Sequence, residues 1–228
     1  MAAVSPTALP GSGARSRFRR RLLAWYGRHR RDLPWRRTED PYHILVSEIM
    51  LQQTQVERVV PKYHEFLDRY PTLEALAGAP VDEVRRLWYP LGYNVRPLNL
   101  RGIARETMTR YGGRLPEDAA ALRTMRGIGR YTAGAVLCFA YGRAVPIVDT
   151  NVRRVLGRVF LGARRLGRLR GQRAIWELAG VLVPRRRSYD YNQALMDFGA
   201  TWCTARAPRC RPCPMRRFCA SYGLDGRA

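Results

Sequence analysis

The chain has 228 residues, 46% of them hydrophobic, and 41 Lys and Arg face 18 Asp and Glu for a formal charge of +23. That hydrophobic fraction excludes a disordered polypeptide, and no apolar run approaches the ~20 residues needed to span a bilayer. The excess of base calls for a polyanionic partner, most simply nucleic acid. A membrane surface fits less well, because no strongly amphipathic basic helix with exposed aromatics stands out.

Residues 1–16 are small and polar, with Pro6, Pro10, Gly11 and Gly13, and read as a disordered leader lacking the apolar core of a signal peptide. Beyond it, apolar side chains recur at helical spacing, predicting helices over 17–27, 42–53, 56–70, 81–89, 99–111, 119–125, 131–140, 151–160, 172–183 and 191–201. Loops are expected at Pro61 (read as a helix-edge proline), Pro71, 78–80, Pro90 and 112–113. Strand-like alternation is nearly absent, so the predicted class is all-α.

Two segments stand out from this background. In Met125-Arg126-Gly127-Ile128-Gly129-Arg130-Tyr131, one apolar helix ends and another begins across two glycines. Glycines there free the backbone and leave amide N–H groups facing outward at a helix start, a phosphate-binding arrangement; a plain structural turn reads equally well. In Val145-Pro146-Ile147-Val148-Asp149-Thr150-Asn151, an acid opens a helix, ordinarily as its N-cap.

The cysteines carry the strongest signal. Cys203, Cys210, Cys213 and Cys219 follow a Cys-x6-Cys-x2-Cys-x5-Cys spacing. Four thiolates on such short loops make a closed S4 site suited to tetrahedral zinc or an iron–sulfur cluster, and spacing alone does not choose. Arg206, Arg209, Arg211, Arg216 and Arg217 in the same stretch would compensate the charge and face phosphate. A disulfide pair is the plainer alternative. Cys138, among Val136, Leu137 and Phe139, reads as a buried helix position, and His29, His43 and His64 have no ligand spacing.

Hairpin, helix-opening acid and cysteine loop together resemble the helix–hairpin–helix DNA glycosylases that carry a [4Fe–4S] cluster, the superfamily of endonuclease III and the MutY-type enzymes. The resemblance covers about residues 17–222. It implies a two-domain fold: a six-helix domain at 37–144, and an iron–sulfur cluster domain formed from 17–36 plus 145–228. Closer matches point to the MutY branch: Arg31-Asp32-Leu33-Pro34-Trp35-Arg36, the run from Ser47-Glu48 through Gln52-Gln53-Thr54-Gln55-Val56, Leu91-Gly92-Tyr93, and Tyr191-Asn192-Gln193. The C-terminal part from Met196-Asp197-Phe198 onward also looks like the T/G-mismatch glycosylases of thermophiles.

The resemblance assigns roles. Asp149 would stabilise positive charge on the sugar, with Asn151 holding its carboxylate. Glu48 would protonate the departing base, burial among Ile49, Met50 and Leu51 keeping it protonated; a solvated helix carboxylate is the bland reading. Tyr131 stands where strand-cleaving members have lysine, and the chain's sole lysine is Lys62, so a monofunctional enzyme is expected. Arg31, Trp35, Leu51, Val56 and Gln193 would line the base pocket. Gln53 and Tyr93 would enter the base stack, with Thr54 helping Gln53 recognise the opposite strand, although Tyr93 reads equally as core. Arg126, Gly127, Gly129 and Arg130 would contact phosphate. Arg126 departs from the family's proline, and Asn94 from its second tyrosine.

The expected substrate is adenine opposite 8-oxoguanine or guanine, within lesion-bearing or mismatched double-stranded DNA. Thymine, uracil or 5-hydroxyuracil opposite guanine is the alternative, since no 8-oxoguanine-recognition domain follows the cysteines in this sequence. A non-catalytic iron–sulfur DNA-binding module is a lesser one. A monomer in the cytoplasm, at the nucleoid in a bacterium and without a membrane partner, completes the expectation.

Overall fold

The computed structural model describes residues 9–162 and 173–222, and among them there are helices and turns but no strand. In chain order the helices are α1 (Ser12–His29), α2 (Pro41–Met50), α3 (Val56–Arg69), α4 (Leu73–Gly78), α5 (Val81–Trp88), α6 (Val95–Arg110), α7 (Ala119–Thr124), α8 (Arg130–Phe139), α9 (Thr150–Leu156), α10 (Arg173–Leu182) and α11 (Ser188–Asp197). Single 3-10 turns occur at Pro34–Arg36 and Arg216–Phe218, and π turns continue α9 over Gly157–Leu161 and α11 over Phe198–Trp202. The chain divides into two compact units. One comprises residues up to 31 together with those from 144 onward; the other is residues 32–143.

The terminal unit is built on α1, whose Phe18, Leu22 and Trp25 fall on one face at helical spacing. They are buried with Val152 and Val155 of α9, Leu178 and Leu182 of α10, and Tyr191, Leu195 and Phe198. The Phe18 and Phe160 rings meet edge to face at 5.0 Å, as do Trp25 and Phe198. Arg19 donates to the carbonyls of Val181, Leu182 and Val183, covering the acceptors that the end of α10 leaves without helical partners.

Unit 32–143 carries α2 to α8. Asp40 caps α2, accepting from the N–H groups of Tyr42 and His43, with Pro41 as the first helical residue. Thr72 and Asp118 cap α4 and α7 in the same way. Six of these helices answer to the six expected from periodicity. The short α4, begun by its threonine cap, is additional.

Several expectations need correction. The leader was expected to run to residue 16, but α1 begins at Ser12, behind an extended Gly11 at its N-cap; residues 1–8 lie outside the described residues. Residues 32–36, expected with the cysteine domain, belong to unit 32–143, where the Trp35 ring packs 5.5 Å from that of Tyr63. Pro61 lies inside α3. It and Glu57, whose carbonyl loses its partner to the proline, are both on the exposed face, where water can compensate. Helix α2 stops at Met50 instead of 53, and α6 starts at Val95 instead of 99, its Pro97 tolerated in the first turn. The start expected at 172 lies outside the described residues.

Candidate functional site

In unit 32–143 the turn between α7 and α8 separates its residues cleanly. Met125 and Ile128 are buried, while Arg126, Gly127, Gly129 and Arg130 are exposed. Gly127 has φ +99°, and a Cβ there would stand 3.0 Å from Asn99 Cβ and Nδ2. A side chain is therefore excluded twice, by backbone conformation and by the neighbouring helix. Gly129 is the extended N-cap of α8, so the first-turn amides of that helix open beside two arginines, the arrangement that receives phosphate.

The same unit joins Gln53, Thr54 and Tyr93. Gln53 follows the end of α2 and Tyr93 precedes α6, both exposed and both with positive φ, +56° and +52°. The Tyr93 hydroxyl donates to Gln53 Oε1 at 2.6 Å. Tyr93 is 56% exposed, so the core reading of this tyrosine is set aside. Arg96, which sequence inspection did not single out, lies beneath both loops. Its buried guanidinium donates to the Gln52 carbonyl at 2.5 Å, the Gly92 carbonyl at 3.1 Å and Thr54 Oγ1 at 3.2 Å. Burial pulls its pKa below the usual arginine value.

Glu48 sits in α2 and is only 3% exposed, so the solvated reading of this carboxyl is also set aside. Leu51 and Val56 are half-buried at either end of the Gln53 loop, and Tyr131 is half-buried in the first turn of α8. Trp35 is buried on Tyr63.

In the terminal unit, Asp149 is the N-cap of α9, and its Oδ1 accepts from Val152 N–H at 2.6 Å. Its Oδ2 accepts from Asn151 Nδ2 at 3.1 Å. Burial pushes the Asp149 carboxyl above the usual aspartate range; the two hydrogen bonds and the Arg154 charge pull it partway back. Arg154 donates to Asn151 Oδ1 at 2.7 Å, and also to the carbonyls of Gly199 at 2.6 Å and Cys203 at 2.8 Å. Gly199 packs so closely that a Cβ on it would meet Asn151 Cβ at 2.7 Å. Neither Arg154 nor Gly199 carries a spacing signal; the signal is their contact with Asn151.

Two other assigned residues have structural surroundings of their own. Arg31 grips Asp197, its Nε at 2.7 Å from Oδ1 and its backbone N–H at 3.1 Å from Oδ2, with Asp197 fully buried. Gln193 is 4% exposed in α11. Its neighbour Asn192 is also buried and donates to the Val145 carbonyl at 3.0 Å, tying α11 to the strand-like run before Asp149.

All four C-terminal cysteines line one cavity of about 40 Å³, walled by Phe198, Trp202, Pro208 and Met215. Donors already point at sulfur: Met215 N–H stands 3.4 Å from Cys213 Sγ, and Arg158 Nη1 3.6 Å from Cys203 Sγ. Burial, with the other three cysteines adding to it, pushes the Cys213 thiol up to about 12. Among the described residues no three His, Cys, Asp or Glu side chains converge on a single metal ion. The four cysteines border a common space, a thiol set that suits a thiophilic metal or an iron–sulfur group.

Residues 46–179 match the family described as the HhH-GPD superfamily base excision DNA repair protein. The chain is 47% identical to the adenine DNA glycosylase of Mycolicibacterium smegmatis over 85% of its own length and 66% of that protein's. It is 45% identical to the adenine DNA glycosylase of Homo sapiens over 89% and 39% of the two lengths. The chain thus spans between about two fifths and two thirds of these curated relatives. A solved structure of a thermostable thymine-DNA glycosylase superposes with a TM-score of 0.86 at 37% identity, over 92% of this chain and 97% of that one. With a helix–hairpin–helix turn, a capped acid opening α9, and a family match across more than half its length, the chain belongs to the HhH-GPD superfamily of base excision DNA repair proteins.

Proposed function

We propose that this chain is a monofunctional DNA glycosylase that flips a mispaired base from duplex DNA and hydrolyses its N-glycosidic bond, with adenine as the base. The observation that carries the reading is the Asp149 carboxylate: partly buried, fixed by Val152 N–H and by Asn151, at the mouth of α9. A carboxylate so held does not need to reorganise as positive charge develops on the sugar, which is the condition for strong electrostatic stabilisation. Glu48 gives its proton to the departing base. Water then adds its hydroxyl to the sugar carbon, and the proton it loses restores the Glu48 carboxyl. Tyr131, with no amine to attack the sugar, leaves the abasic strand uncut. Gln53 and Tyr93 fill the space the flipped nucleotide vacates, Thr54 adjoins them at the opposite strand, and the α7–α8 turn holds the backbone phosphate.

Gln193, with a side-chain amide that can both donate and accept, supports a purine edge as the target, and Leu51, Val56 and Trp35 supply apolar contact. The identities to adenine glycosylases lend weight to the same base. A second reading, thymine or uracil opposite guanine, is supported by the 37% identity to the thymine-DNA glycosylase structure and its TM-score of 0.86.

Endonuclease III and MutY-type members of the superfamily generally carry a [4Fe–4S] cluster. We assign Cys203, Cys210, Cys213 and Cys219 as its ligands here. Bound there, it would supply a covalent brace for a loop rich in arginine, near phosphate. No described helix is long and apolar enough to cross a membrane. The chain would act as a monomer on genomic DNA, in the cytoplasm or at the nucleoid.

The test is single-turnover base release, revealed by alkali, from duplexes carrying adenine opposite 8-oxoguanine or guanine, and thymine, uracil or 5-hydroxyuracil opposite guanine. Adenine release that Asp149→Asn slows by about 10²–10³-fold or more, with DNA binding kept, is the expected result. Release of a pyrimidine instead establishes the second reading. Release of nothing by the cluster-loaded wild type leaves a binding module.

A further inference from the structure

Arg96 makes contacts out of proportion to a structural arginine. It stands in the first turn of α6, and its side chain runs back under two loops that are far apart in sequence. Nη1 donates to the carbonyls of Ile49 at 3.1 Å, Met50 at 2.9 Å and Gln52 at 2.5 Å. Nη2 donates to the carbonyls of Leu91 at 2.9 Å and Gly92 at 3.1 Å, and to Thr54 Oγ1 at 3.2 Å. The residue is 5% exposed, and its guanidinium carbon lies 5.1 Å from the Tyr93 ring centroid and 5.4 Å from that of Trp88. These acceptors are five carbonyls and a hydroxyl, so what the charge gains comes from oriented dipoles, including the carbonyls that α2 leaves open at its C-terminus.

Two of those carbonyls belong to Gln52 and Gly92, the residues immediately before Gln53 and Tyr93. Those are also the two non-glycine residues of unit 32–143 with left-handed backbone. A side chain in that conformation is strained and persists only where its surroundings over-determine it. One planar guanidinium supplies that determination to both at once. The fork fixes the relative placement of the loops, and the Tyr93–Gln53 hydrogen bond closes the arrangement at the surface.

We infer that Arg96 is the positioning residue of a two-part wedge: it locks the Gln53 and Tyr93 loops into one rigid unit, so that both side chains enter the base stack together. The inference rests on the reading above, in which Gln53 and Tyr93 replace the flipped base. It assigns Arg96 no contact with DNA. Lysine keeps the charge but cannot span both loops with a planar fork, so Arg96→Lys separates the clamp from the cation.

The experiment is a double-mutant cycle on single-turnover release of the base that the panel identifies, with 2-aminopurine beside that base reporting extrusion by its fluorescence. Arg96→Lys is expected to slow release from the duplex by up to about 10²-fold and to suppress the fluorescence rise. Combined with the paired Gln53→Ala and Tyr93→Ala changes it should be little slower than that pair alone, since the clamp then has nothing left to aim. Its loss should shrink several-fold on a duplex where the target faces an abasic-site analogue, because no pair remains to be opened. Multiplicative losses in the cycle, or equal losses on both substrates, overturn the inference. If Gln53→Ala and Tyr93→Ala both extrude the base as the wild type does, the wedge reading falls. If they fail while Arg96→Lys does not, only the clamp falls. Should Arg96→Lys not fold, NMR of the wild type decides: a clamped Arg96 shows separate, slowly exchanging Nη protons, and a freely rotating guanidinium overturns the proposal.

Discussion

Asp149 has two functions that make opposite demands. As an N-cap it accepts from Val152 N–H, a bond that favours its ionised form, yet burial has pushed its pKa up overall. Below the ordinary aspartate range both folded and unfolded chains hold this proton, and the carboxyl costs the fold nothing. As pH rises the unfolded chain ionises first, so the wild-type fold loses stability through the folded pKa. Asp149→Asn cannot ionise and keeps an oxygen for the cap. Its stability relative to wild type should therefore rise as pH climbs through and above the ordinary aspartate range, as denaturant melts at each pH will measure. The expected rate profile has the same origin, activity failing on the acid side at a higher pH than an ordinary aspartate would dictate. Lys62, the sole lysine, sits in α3 paired with Glu65 at 2.6 Å. Borohydride should therefore trap no lysine-linked covalent complex on substrate DNA, and such a complex, mapped to Lys62, would refute the monofunctional assignment. The cysteines stand out in the sequence by residue type and spacing, whereas Asp149 and Glu48 are singled out only by the resemblance to a known family. Arg96 stands out by neither, being one of 41 basic residues with nothing in its neighbours to mark it.

At the scale of elements, helix interiors were readable and their ends were not. Periodicity of Phe18, Leu22 and Trp25, or of Val59, Tyr63 and Phe66, reports a face that must be buried, and burial is what fixes a helix interior. Ends depend on groups distant in sequence: α2 closes where Arg96 takes its carbonyls, three residues short of the apolar pattern. The π turns after α9 and α11 likewise have no local signature. Their contacts explain them: the first carries Arg158 to Cys203, and the second brings Gly199 against Asn151. Gly199→Ala would push a methyl to 2.7 Å from Asn151 Cβ and 3.1 Å from its backbone carbonyl. A backbone cannot yield as a side-chain tip can. The substitution should cost about 1–3 kcal/mol in denaturant unfolding and slow single-turnover release through displacement of Asn151. Wild-type rate with a normal melt would mean that α9 can slide without consequence.

For the molecule as a whole, on the proposed reading the charge of +23 sets affinity while a few side chains choose the base. Binding to undamaged duplex should weaken by about 10³-fold or more between about 50 and 200 mM salt. Arg126→Ala and Arg130→Ala should each flatten the log–log slope by about one, as titrations at several salt concentrations will test. The all-α class was evident at this scale, since strands would need an alternation that the chain lacks. The division after Arg31 was not, because it depends on which partners Trp35 and Arg31 find, Tyr63 for one and Asp197 for the other. That last contact has a consequence for the order of events during synthesis. Residues 32–143 emerge from a ribosome as an uninterrupted unit with their packing partners in hand. Helix α1 has already emerged by then, its Phe18, Leu22 and Trp25 still waiting for α9, α10 and α11. At 5–20 residues per second that wait lasts on the order of ten to thirty seconds. A nascent chain stalled before residue 150 should therefore display a folded inner unit behind a sticky amphipathic leader, a natural client for a ribosome-bound chaperone.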